Sequence, residues 1–192
     1  MNGLILAGGK SSRMGTPKAL LPLGKTNFLN HLIGLYREAG IGEIWAVGGA
    51  AYEEIKASNP PCHLVFAKDW ARGMRASLRA GILAMGEGPI LLTHVDRPVI
   101  AVQTIQKLID PAIDPSGQKV KIPCYQGKTG HPVCLPAAIR ARLIQEDDQP
   151  LCEILEGYPK IQVETDDPDI LQNINRPEDW KALCDRFQFD SD

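Results

Sequence analysis

Short apolar runs alternate with amphipathic stretches along this chain. Residues 4–7 form a brief apolar run that ends in glycines, which is typical of a buried strand. Residues 28–39 carry apolar side chains at helical spacing and stop at Gly40, a common helix terminator. Residues 89–95 return to a continuous apolar run, as in a strand that is covered on both faces. The pattern predicts that strands and helices alternate.

The same periodicities assign most of the remaining chain. They predict further strands over residues 43–47, 63–67, 119–125, 161–164 and 171–174. They predict further helices over residues 51–57, 74–85, 102–109 and 178–186, and a helical pair across residues 137–155. Units of this kind favour an α/β fold, a single three-layer Rossmann-like domain whose mostly parallel sheet has helices on both faces. We expect one domain over residues 1–187 and a frayed tail over residues 188–192.

Charge and cysteine usage exclude several classes of protein. The formal net charge of −2 gives no reason to expect a nucleic-acid partner or an anionic membrane surface. The five cysteines contain no C-x-x-C pair, so neither a zinc site nor a disulfide framework is expected. No apolar run approaches the roughly 18 residues of a membrane span. We therefore expect a soluble cytoplasmic protein that binds neither nucleic acid nor membrane.

A glycine-rich loop follows the first predicted strand. Residues 6–18 read L-A-G-G-K-S-S-R-M-G-T-P-K. In an open α/β sheet such a loop lies at the carboxyl ends of the strands, where ligands bind. Gly8, Gly9 and Gly15 allow a tight turn and a close approach of the backbone, and successive N–H groups in such a turn form an anion-binding nest. Arg13 and Lys18 add two positive charges, which favours a polyphosphate ligand.

Two common phosphate motifs are absent from this loop. It lacks G-x-x-x-x-G-K-[ST], so it is not a P-loop, and it lacks the G-x-G-x-x-G fingerprint of dinucleotide-binding proteins. The alternative interpretation is a flexible turn with solvated lysine and arginine side chains.

This segment resembles a known family. Residues 6–18 are similar to the L-A-[AG]-G-x-[SG]-x-R-M-G-x-P-K signature of the MobA-like NTP transferases, the molybdenum cofactor nucleotidyltransferases, and residues 19–23 resemble its continuation. The resemblance extends over essentially the whole chain and implies the nucleotide-diphospho-sugar transferase type of fold. It implies nucleotide and phosphate contacts at Leu6, Ala7, Gly8, Gly9, Ser12, Arg13, Gly15, Lys18, Gly73 and Ser77.

A second segment carries part of the same resemblance. Residues 69–78 resemble a W-x-x-G-M-x-x-S-L pattern of the family. Gly73 is placed to open a helix whose first turn holds Met74 and Ser77, and such an N-terminus can donate amides to an anion. The alternative is plain helix initiation, with Met74 in the core.

Asp96 follows the strongest apolar strand and is the candidate metal ligand. A carboxylate at the carboxyl end of a strand, facing a phosphate loop, is well placed to hold Mg²⁺ on phosphate oxygens. Asp96-Arg97-Pro98 resembles the D-x-P of the family, although Arg97 stands where Met or Gln is more familiar. The alternative is that Asp96 caps the helix after Pro98.

Two segments near the C-terminal end supply candidate acceptor and metal contacts. Gly130-His131-Pro132 resembles a G-H-P motif of the cytidylyltransferase branch, and His131 is a candidate acceptor contact. A histidine beside proline in a turn is equally compatible with a structural role.

Residues 173–179 resemble N-[IV]-[ND]-T-P-E-D, with Arg176 in place of threonine. Strand alternation would place Asn173 and Asn175 on the same side. Asn173 is then a second candidate acceptor contact, and Asn175 is expected to assist Asp96 at the metal. An N-cap role for Asn175 is an alternative, and it is compatible with the metal role.

The resemblance implies a reaction and its cofactor. A phosphorylated acceptor, molybdopterin or a relative, attacks the α-phosphorus of an NTP and pyrophosphate leaves. Arg13 and Lys18 would stabilise the triphosphate, while Asp96 and Asn175 would hold Mg²⁺, with Mn²⁺ as the alternative. Gly8-Gly9 favours GTP and the G-H-P motif favours CTP, with CTP narrowly preferred. We expect a monomer or weak dimer, with a cofactor-accepting enzyme as a further candidate partner.

Three other functions fit parts of the sequence. A sugar-phosphate nucleotidyltransferase shares the glycine-rich opening but is generally longer. A glycosyltransferase would want a D-x-D motif, and Asp96 has no acidic partner at position 94 or 98. A non-catalytic nucleotide-binding or protein-docking module would be favoured if Arg97 and Arg176 disabled the acceptor site.

Overall fold

The computed structural model describes residues 1–11, 14–147 and 149–186. The described chain forms an α/β fold around one large sheet, as the alternating pattern predicts. Its strands are β1 (Asn2–Ala7), β2 (Pro22–Leu23), β3 (Thr26–Asn27), β4 (Glu43–Gly48), β5 (His63–Phe66), β6 (Ile90–His94), β7 (Val120–Tyr125), β8 (Lys128–Thr129), β9 (Val133–Leu135) and β10 (Lys160–Glu164). Its helices are α1 (Phe28–Glu38), α2 (Tyr52–Ala57), α3 (Met74–Ala84), α4 (Val102–Ile109), α5 (Arg140–Leu143), α6 (Leu151–Glu156) and α7 (Pro177–Arg186).

The large sheet is mostly parallel. Its strands lie in the order β10-β7-β9-β6-β1-β4-β5, with β8 paired to β7, while β2 and β3 form a separate small hairpin. Strand β1 is central and pairs in parallel with both β4 and β6. Strand β9 runs antiparallel to β6 and to β7. The carboxyl ends of β1 and β6 therefore lie side by side.

Both faces of the sheet are covered. Along β1, Ile5 and Ala7 pack into one core cluster together with residues of α1 and α4. Leu4 and Leu6 point the other way, into a second cluster with residues of α3, α5 and α6. This alternation is the two-residue period of a strand that is buried on both sides.

The predicted element order differs from the structure in one strand that does not form and in several short strands that were not predicted. Residues 171–174 do not form a strand: a 3-10 turn (Pro168–Leu171) leads into irregular backbone. The backbone of that segment bonds to Arg97 and Asp96 instead of to a neighbouring strand. The short strands β2, β3, β8 and β9 were missed, because two or three residues carry too little periodicity to predict a strand.

Two arginines hold helix α3 against helix α5. Arg140 of α5 donates hydrogen bonds to the carbonyls of Ile82 and Met85, at 3.1 and 3.2 Å. In return, Arg75 of α3 donates to the carbonyl of Leu143 at 3.2 Å. Each guanidinium thus satisfies carbonyls that a helix terminus leaves without a partner.

The helical pair over residues 137–155 is a 3-10 turn followed by two short helices, α5 and α6. The frayed tail expected over residues 188–192 lies outside the described residues. Within the described part of the chain, no helix combines the length and apolar character that crossing a membrane requires.

Candidate active site

A cleft of about 490 Å³ opens at the carboxyl ends of β1 and β6. It lies where ligands bind in parallel sheets, because the loops after neighbouring strands meet at the same edge. The lining comprises Leu6, Ala7, Gly8, Gly9, Lys10, Ser11, Pro17, Lys18, Ala19, Ala51, Trp70, Ala71, Gly73, Met74, Ser77, His94, Val95, Asp96 and Asn175.

The glycine-rich loop packs closely against its neighbours at one end. A Cβ atom on Gly8 would lie 2.7 Å from Ser77 Oγ, and one on Gly49 would collide with the backbone of Gly8. Gly15 adopts a φ of +67°, which favours glycine. A Cβ atom on Gly9 would meet no heavy atom within 4 Å among the described residues. Close approach therefore requires glycine at position 49, whereas a methyl group at position 8 would meet only the Ser77 hydroxyl closely and position 9 is open among the described residues.

The loop returns to the cleft at Lys18. The Ser11 hydroxyl accepts a hydrogen bond from the Lys18 amide at 3.0 Å, which closes the loop upon itself. Ser11 itself has a φ of +51°, in the left-handed region. Ser12 and Arg13, two of the expected phosphate contacts, lie outside the described residues. The closure brings the Lys18 side chain back beside the strand ends.

Three residues from distant parts of the chain meet in the cleft. The Lys18 ammonium group donates hydrogen bonds to Asn175 Oδ1 at 2.7 Å and to Asp96 Oδ2 at 3.3 Å. The Lys18 and Asp96 side chains are 14% and 23% exposed, so water screens this ion pair only in part. Lys18, the candidate phosphate-binding lysine, thus donates hydrogen bonds to both candidate metal ligands, Asp96 and Asn175.

The start of α3 forms another wall of the cleft. Gly73 stands at the N-cap with a φ of +114°, a conformation that side chains rarely adopt, and α3 begins at Met74. Gly73, Met74 and the buried Ser77 all line the cleft. Because the capping residue is glycine, its position offers no side chain to the first amides of the helix. These amides are available to a negatively charged ligand.

Asp96 is not a helix cap. Helix α4 begins at Val102, its N-cap residue is Ala101, and the Ala101 amide donates to the buried Asp167 at 2.8 Å. The Thr104 hydroxyl donates to the same carboxylate at 3.1 Å. The capping alternative for Asp96 is therefore wrong, and its carboxylate faces the cleft.

The side chain of Asn175 is also not used as a cap. Asp179, in the first turn of α7, accepts hydrogen bonds from the amides of Asn175 and Arg176, at 2.9 and 2.8 Å. These two hydrogen bonds depress the pKa of the Asp179 carboxyl. The N-cap alternative for Asn175 is wrong, because α7 begins at Pro177, so that Arg176 stands at the N-cap position, and Asp179 reaches back from the first turn to the Asn175 and Arg176 amides.

Arg97 anchors the segment that carries Asn175. Its guanidinium donates to the carbonyls of Ile170 and Gln172, both at 3.3 Å. The Ile174 amide donates to the Asp96 carbonyl at 2.8 Å. Burial lowers the pKa of Arg97, while the nearby Asp96 opposes that shift. Arg97, which stands where Met or Gln is more familiar in the family, is not among the residues that line the cleft and instead holds this segment in place.

The two candidate acceptor residues do not line the cleft. His131 packs edge-on against His94, with ring centroids 5.3 Å apart, so that His94 is the residue of the pair that reaches the cleft. Burial lowers the pKa of His131 to about 3 and also lowers that of His94. Asn173 is exposed. The expectation that it shares a strand face with Asn175 is wrong, because that strand does not exist.

Lys10, Trp70 and His94 line the cleft but were not assigned from the sequence. Lys10 Nζ lies 5.6 Å from the centroid of the Trp70 ring, across the mouth of the cleft. His94 is a polar residue at the end of an apolar strand, two positions before Asp96. Its place at the carboxyl end of that strand was the available signal for His94, since ligands of parallel sheets bind at this edge.

The donor set suits a hard divalent cation. Asp96 and Asn175 present two side-chain oxygens, the ligand type that Mg²⁺ prefers. The ammonium group of Lys18 already occupies them as a positive charge. Among the described residues, no group of three or more His, Cys, Asp or Glu side chains could hold a metal. A metal here would take its remaining ligands from phosphates and water, as Mg²⁺ usually does.

Comparison with known proteins agrees with this geometry. Residues 3–161 match the family model of the MobA-like NTP transferase domain. The molybdenum cofactor cytidylyltransferase of Escherichia coli (strain K12) is 27% identical over 191 residues, covering 96% of this chain and 95% of the relative. The probable molybdenum cofactor guanylyltransferase of Carboxydothermus hydrogenoformans is 26% identical over 201 residues, covering 95% of this chain and 94% of the relative.

Solved structures show the same fold. A Mycobacterium tuberculosis H37Rv protein crystallised in complex with manganese matches with a TM-score of 0.76 and 23% identity, over 96% of this chain and 97% of that chain. The family expected from residues 6–18 is confirmed, since the family model covers most of the sequence. The chain therefore belongs to the MobA-like NTP transferase family and is a nucleotidyltransferase.

Proposed function

We propose that this protein transfers the nucleoside monophosphate of CTP or GTP to a phosphorylated acceptor of the molybdopterin type and releases pyrophosphate. One observation carries the proposal: the glycine-rich loop, Lys18 and the Asp96–Asn175 pair line a single cleft. The names of the two curated relatives support the choice of donor and acceptor. We place the reaction in the cytoplasm, where the five free cysteines would stay reduced.

The reaction needs alignment and charge neutralisation more than covalent help from the protein. An oxygen of the acceptor phosphate attacks the α-phosphorus, and the bond from that phosphorus to its bridging oxygen breaks. Pyrophosphate leaves with the electron pair. Amides near Gly8 and at the start of α3 are placed to donate to phosphate oxygens. Lys18 stabilises the negative charge that develops in the transition state, and we assign Arg13 the same role.

Asp96 and Asn175 are the residues that would hold Mg²⁺, or Mn²⁺ in its place. The bound ion would neutralise charge on the phosphate oxygens. The manganese complex of the structurally similar Mycobacterium protein is compatible with a divalent ion in this fold. We assign His131 an indirect part on the acceptor side, because it supports the ring of His94. We propose that Asn173 contacts the acceptor outside the cleft.

Pyrophosphate release tests the proposal. The purified protein is incubated with Mg²⁺, CTP or GTP, and molybdopterin, and a sugar 1-phosphate replaces molybdopterin in a parallel reaction. We expect release with molybdopterin, and we expect Asp96→Ala to reduce it by about 10²–10³-fold, as when one electrostatic stabiliser is lost. Near-normal release by Asp96→Ala would remove Asp96 from the metal role. Release with the sugar phosphate alone would favour a sugar-phosphate nucleotidyltransferase.

Thermal melting identifies the nucleotide independently of turnover. Each of the four NTPs is added with Mg²⁺, and the bound one raises the melting temperature by mass action. We expect CTP or GTP to give the largest increase. Stabilisation by an NTP without pyrophosphate release under any condition would favour the non-catalytic nucleotide-binding module.

A further inference from the structure

The Lys18 ammonium group holds the two oxygens that we assign to the metal. It lies 2.7 Å from Asn175 Oδ1 and 3.3 Å from Asp96 Oδ2. Both charged side chains are largely shielded from water, at 14% and 23% exposure. A charge-assisted contact in this setting is stronger than one on an open surface. The contact therefore influences which other cation can bind there.

A divalent ion and the ammonium group cannot share these oxygens. Mg²⁺ binds oxygen ligands at about 2.0–2.1 Å and demands a regular geometry. An ammonium hydrogen-bonded to the same oxygens would stand close to that ion, and two positive charges at such short range repel. Metal binding therefore requires Lys18 to leave Asp96 and Asn175.

We propose that Lys18 is a placeholder cation that keeps divalent metal out of the site until a triphosphate draws its side chain away. The inference rests on the proposed function for the role of the metal. The backbone of Lys18 is fixed by its hydrogen bond to Ser11, at the end of the glycine-rich loop. Its flexible stem lets the ammonium move from one acceptor to another within the same cleft.

The exchange couples the two halves of the site. A triphosphate in the loop offers Lys18 several negatively charged oxygens in place of one carboxylate and one amide. When Lys18 moves to the phosphates, Asp96 and Asn175 become available to a metal that also binds those phosphates. Nucleotide and metal then enter together, and each strengthens binding of the other by the same factor.

Binding of Mn²⁺ alone, in the absence of nucleotide, tests the exchange. Electron paramagnetic resonance of free Mn²⁺ gives the metal affinity of the whole protein without any turnover. We expect Lys18→Met to bind Mn²⁺ about tenfold more tightly than the wild type, because the competing charge-assisted hydrogen bonds are gone. Asp96→Asn should abolish Mn²⁺ binding both in the otherwise wild-type protein and in the Lys18→Met variant.

Lys10→Met is the matched control. Lys10 lines the same cleft, but it lies over the Trp70 ring and has no hydrogen bond to Asp96 among the described contacts. The two substitutions remove the same charge from the same cleft, so an effect of net cleft charge alone would tighten Mn²⁺ binding in both variants. We expect less than about a twofold change for Lys10→Met. Equal changes in the two variants, or no change in Lys18→Met, would overturn the placeholder role.

A second variant decides the matter if Lys18→Met does not fold. Asn175→Ala removes the shorter of the two hydrogen bonds without changing charge, which frees Lys18 for phosphate. We expect inorganic triphosphate, measured calorimetrically in EDTA, to bind about fivefold more tightly to Asn175→Ala. Unchanged or weaker binding would contradict the proposal.

The two hypotheses fail separately. A wild type that releases no pyrophosphate, while Lys18→Met still gains Mn²⁺ affinity, would refute the proposed reaction and leave the placeholder intact. Normal pyrophosphate release by the wild type, with no gain of Mn²⁺ affinity in Lys18→Met and no gain of triphosphate affinity in Asn175→Ala, would refute the placeholder role and leave the proposed reaction intact.

Discussion

At the scale of single residues, the site depends on a few close approaches of backbone. A Cβ atom on Gly49 would collide with the Gly8 carbonyl and lie 2.8 Å from Trp70 Cβ. Gly8 belongs to the signature that the sequence revealed, whereas Gly49 follows β4 and has no motif of its own. Gly49 is needed because it lets its segment pass against the Gly8 backbone, whereas a Cβ atom on Gly8 would meet the Ser77 hydroxyl of α3.

Gly49→Ala is expected to displace the loop. The backbone of Gly8 must shift to admit the new methyl group, which costs about 1–3 kcal/mol of stability, as overpacking does. NTP affinity should fall as well, because the displaced segment lines the cleft. Gly42→Ala is the control, since Gly42 is exposed, lies outside the cleft lining and its Cβ would meet no described heavy atom within 4 Å, so both quantities should remain within about 0.5 kcal/mol of wild type. Urea unfolding and calorimetric titration measure the two quantities, and equal behaviour of the variants would disprove the steric argument.

At the scale of elements, the segment before α7 is held in place by bonds that cross the fold. Arg97 ties it to the region after β6, the Ile174 amide reaches the Asp96 carbonyl, and the His131 amide donates to the Ile170 carbonyl at 3.0 Å. A Cβ atom on Gly130 would collide with the Ile170 backbone. Asn175 reaches the cleft because this segment has a fixed path.

Arg97→Gln should loosen that path. Two hydrogen bonds from a half-buried charge are lost, which we expect to cost about 1–3 kcal/mol of stability. Turnover should fall further than NTP affinity does, because the nucleotide loop is left intact while Asn175 is misplaced. Arg176→Gln serves as the matched control: the Arg176 guanidinium is exposed and lies 3.9 Å from Glu178, so a change below about 0.5 kcal/mol is expected. Chemical denaturation and steady-state kinetics compare the two. Equal stability loss in both would show that Arg97 is not an anchor.

At the scale of the whole molecule, the buried histidine pair links stability to pH. The pKa of His131 is lowered to about 3, mainly by burial. In the unfolded chain a histidine has a pKa of about 6.5, so below that pH the unfolded state binds the proton that the folded state does not. Stability is therefore full above pH 6.5 and is lost as the pH falls toward the folded value.

Between pH 7.5 and 5.5, His131 should account for about 1.4 kcal/mol of lost unfolding free energy. Urea denaturation at the two pH values measures the loss. His131→Gln should reduce the pH dependence by about that amount, because the side chain no longer titrates. An unchanged pH dependence in the variant would mean that His131 takes up its proton in the folded state, contrary to its buried position against His94.

Where the apolar periodicity is strong, it predicted the secondary structure correctly. The helices over residues 28–39 and 74–85 and the central strands follow the pattern closely, because each buries a regular row of apolar side chains. The strand predicted over residues 171–174 failed, since that segment forms its hydrogen bonds with isolated residues at long range. Alternation in sequence carries no information about such partners.

The sequence by itself determined the α/β class and the family signature. It also identified Lys18, Asp96 and Asn175, each separately, as candidate site residues, because each assignment rests on residue type and local order. Only the tertiary structure decided that one lysine bonds to both oxygens, that His94 rather than His131 faces the cleft, and that Arg97 is an anchor. Lys18 and Asn175 are separated by 157 positions along the chain. Their contact follows from strand order and the path of one irregular segment, neither of which a local pattern encodes.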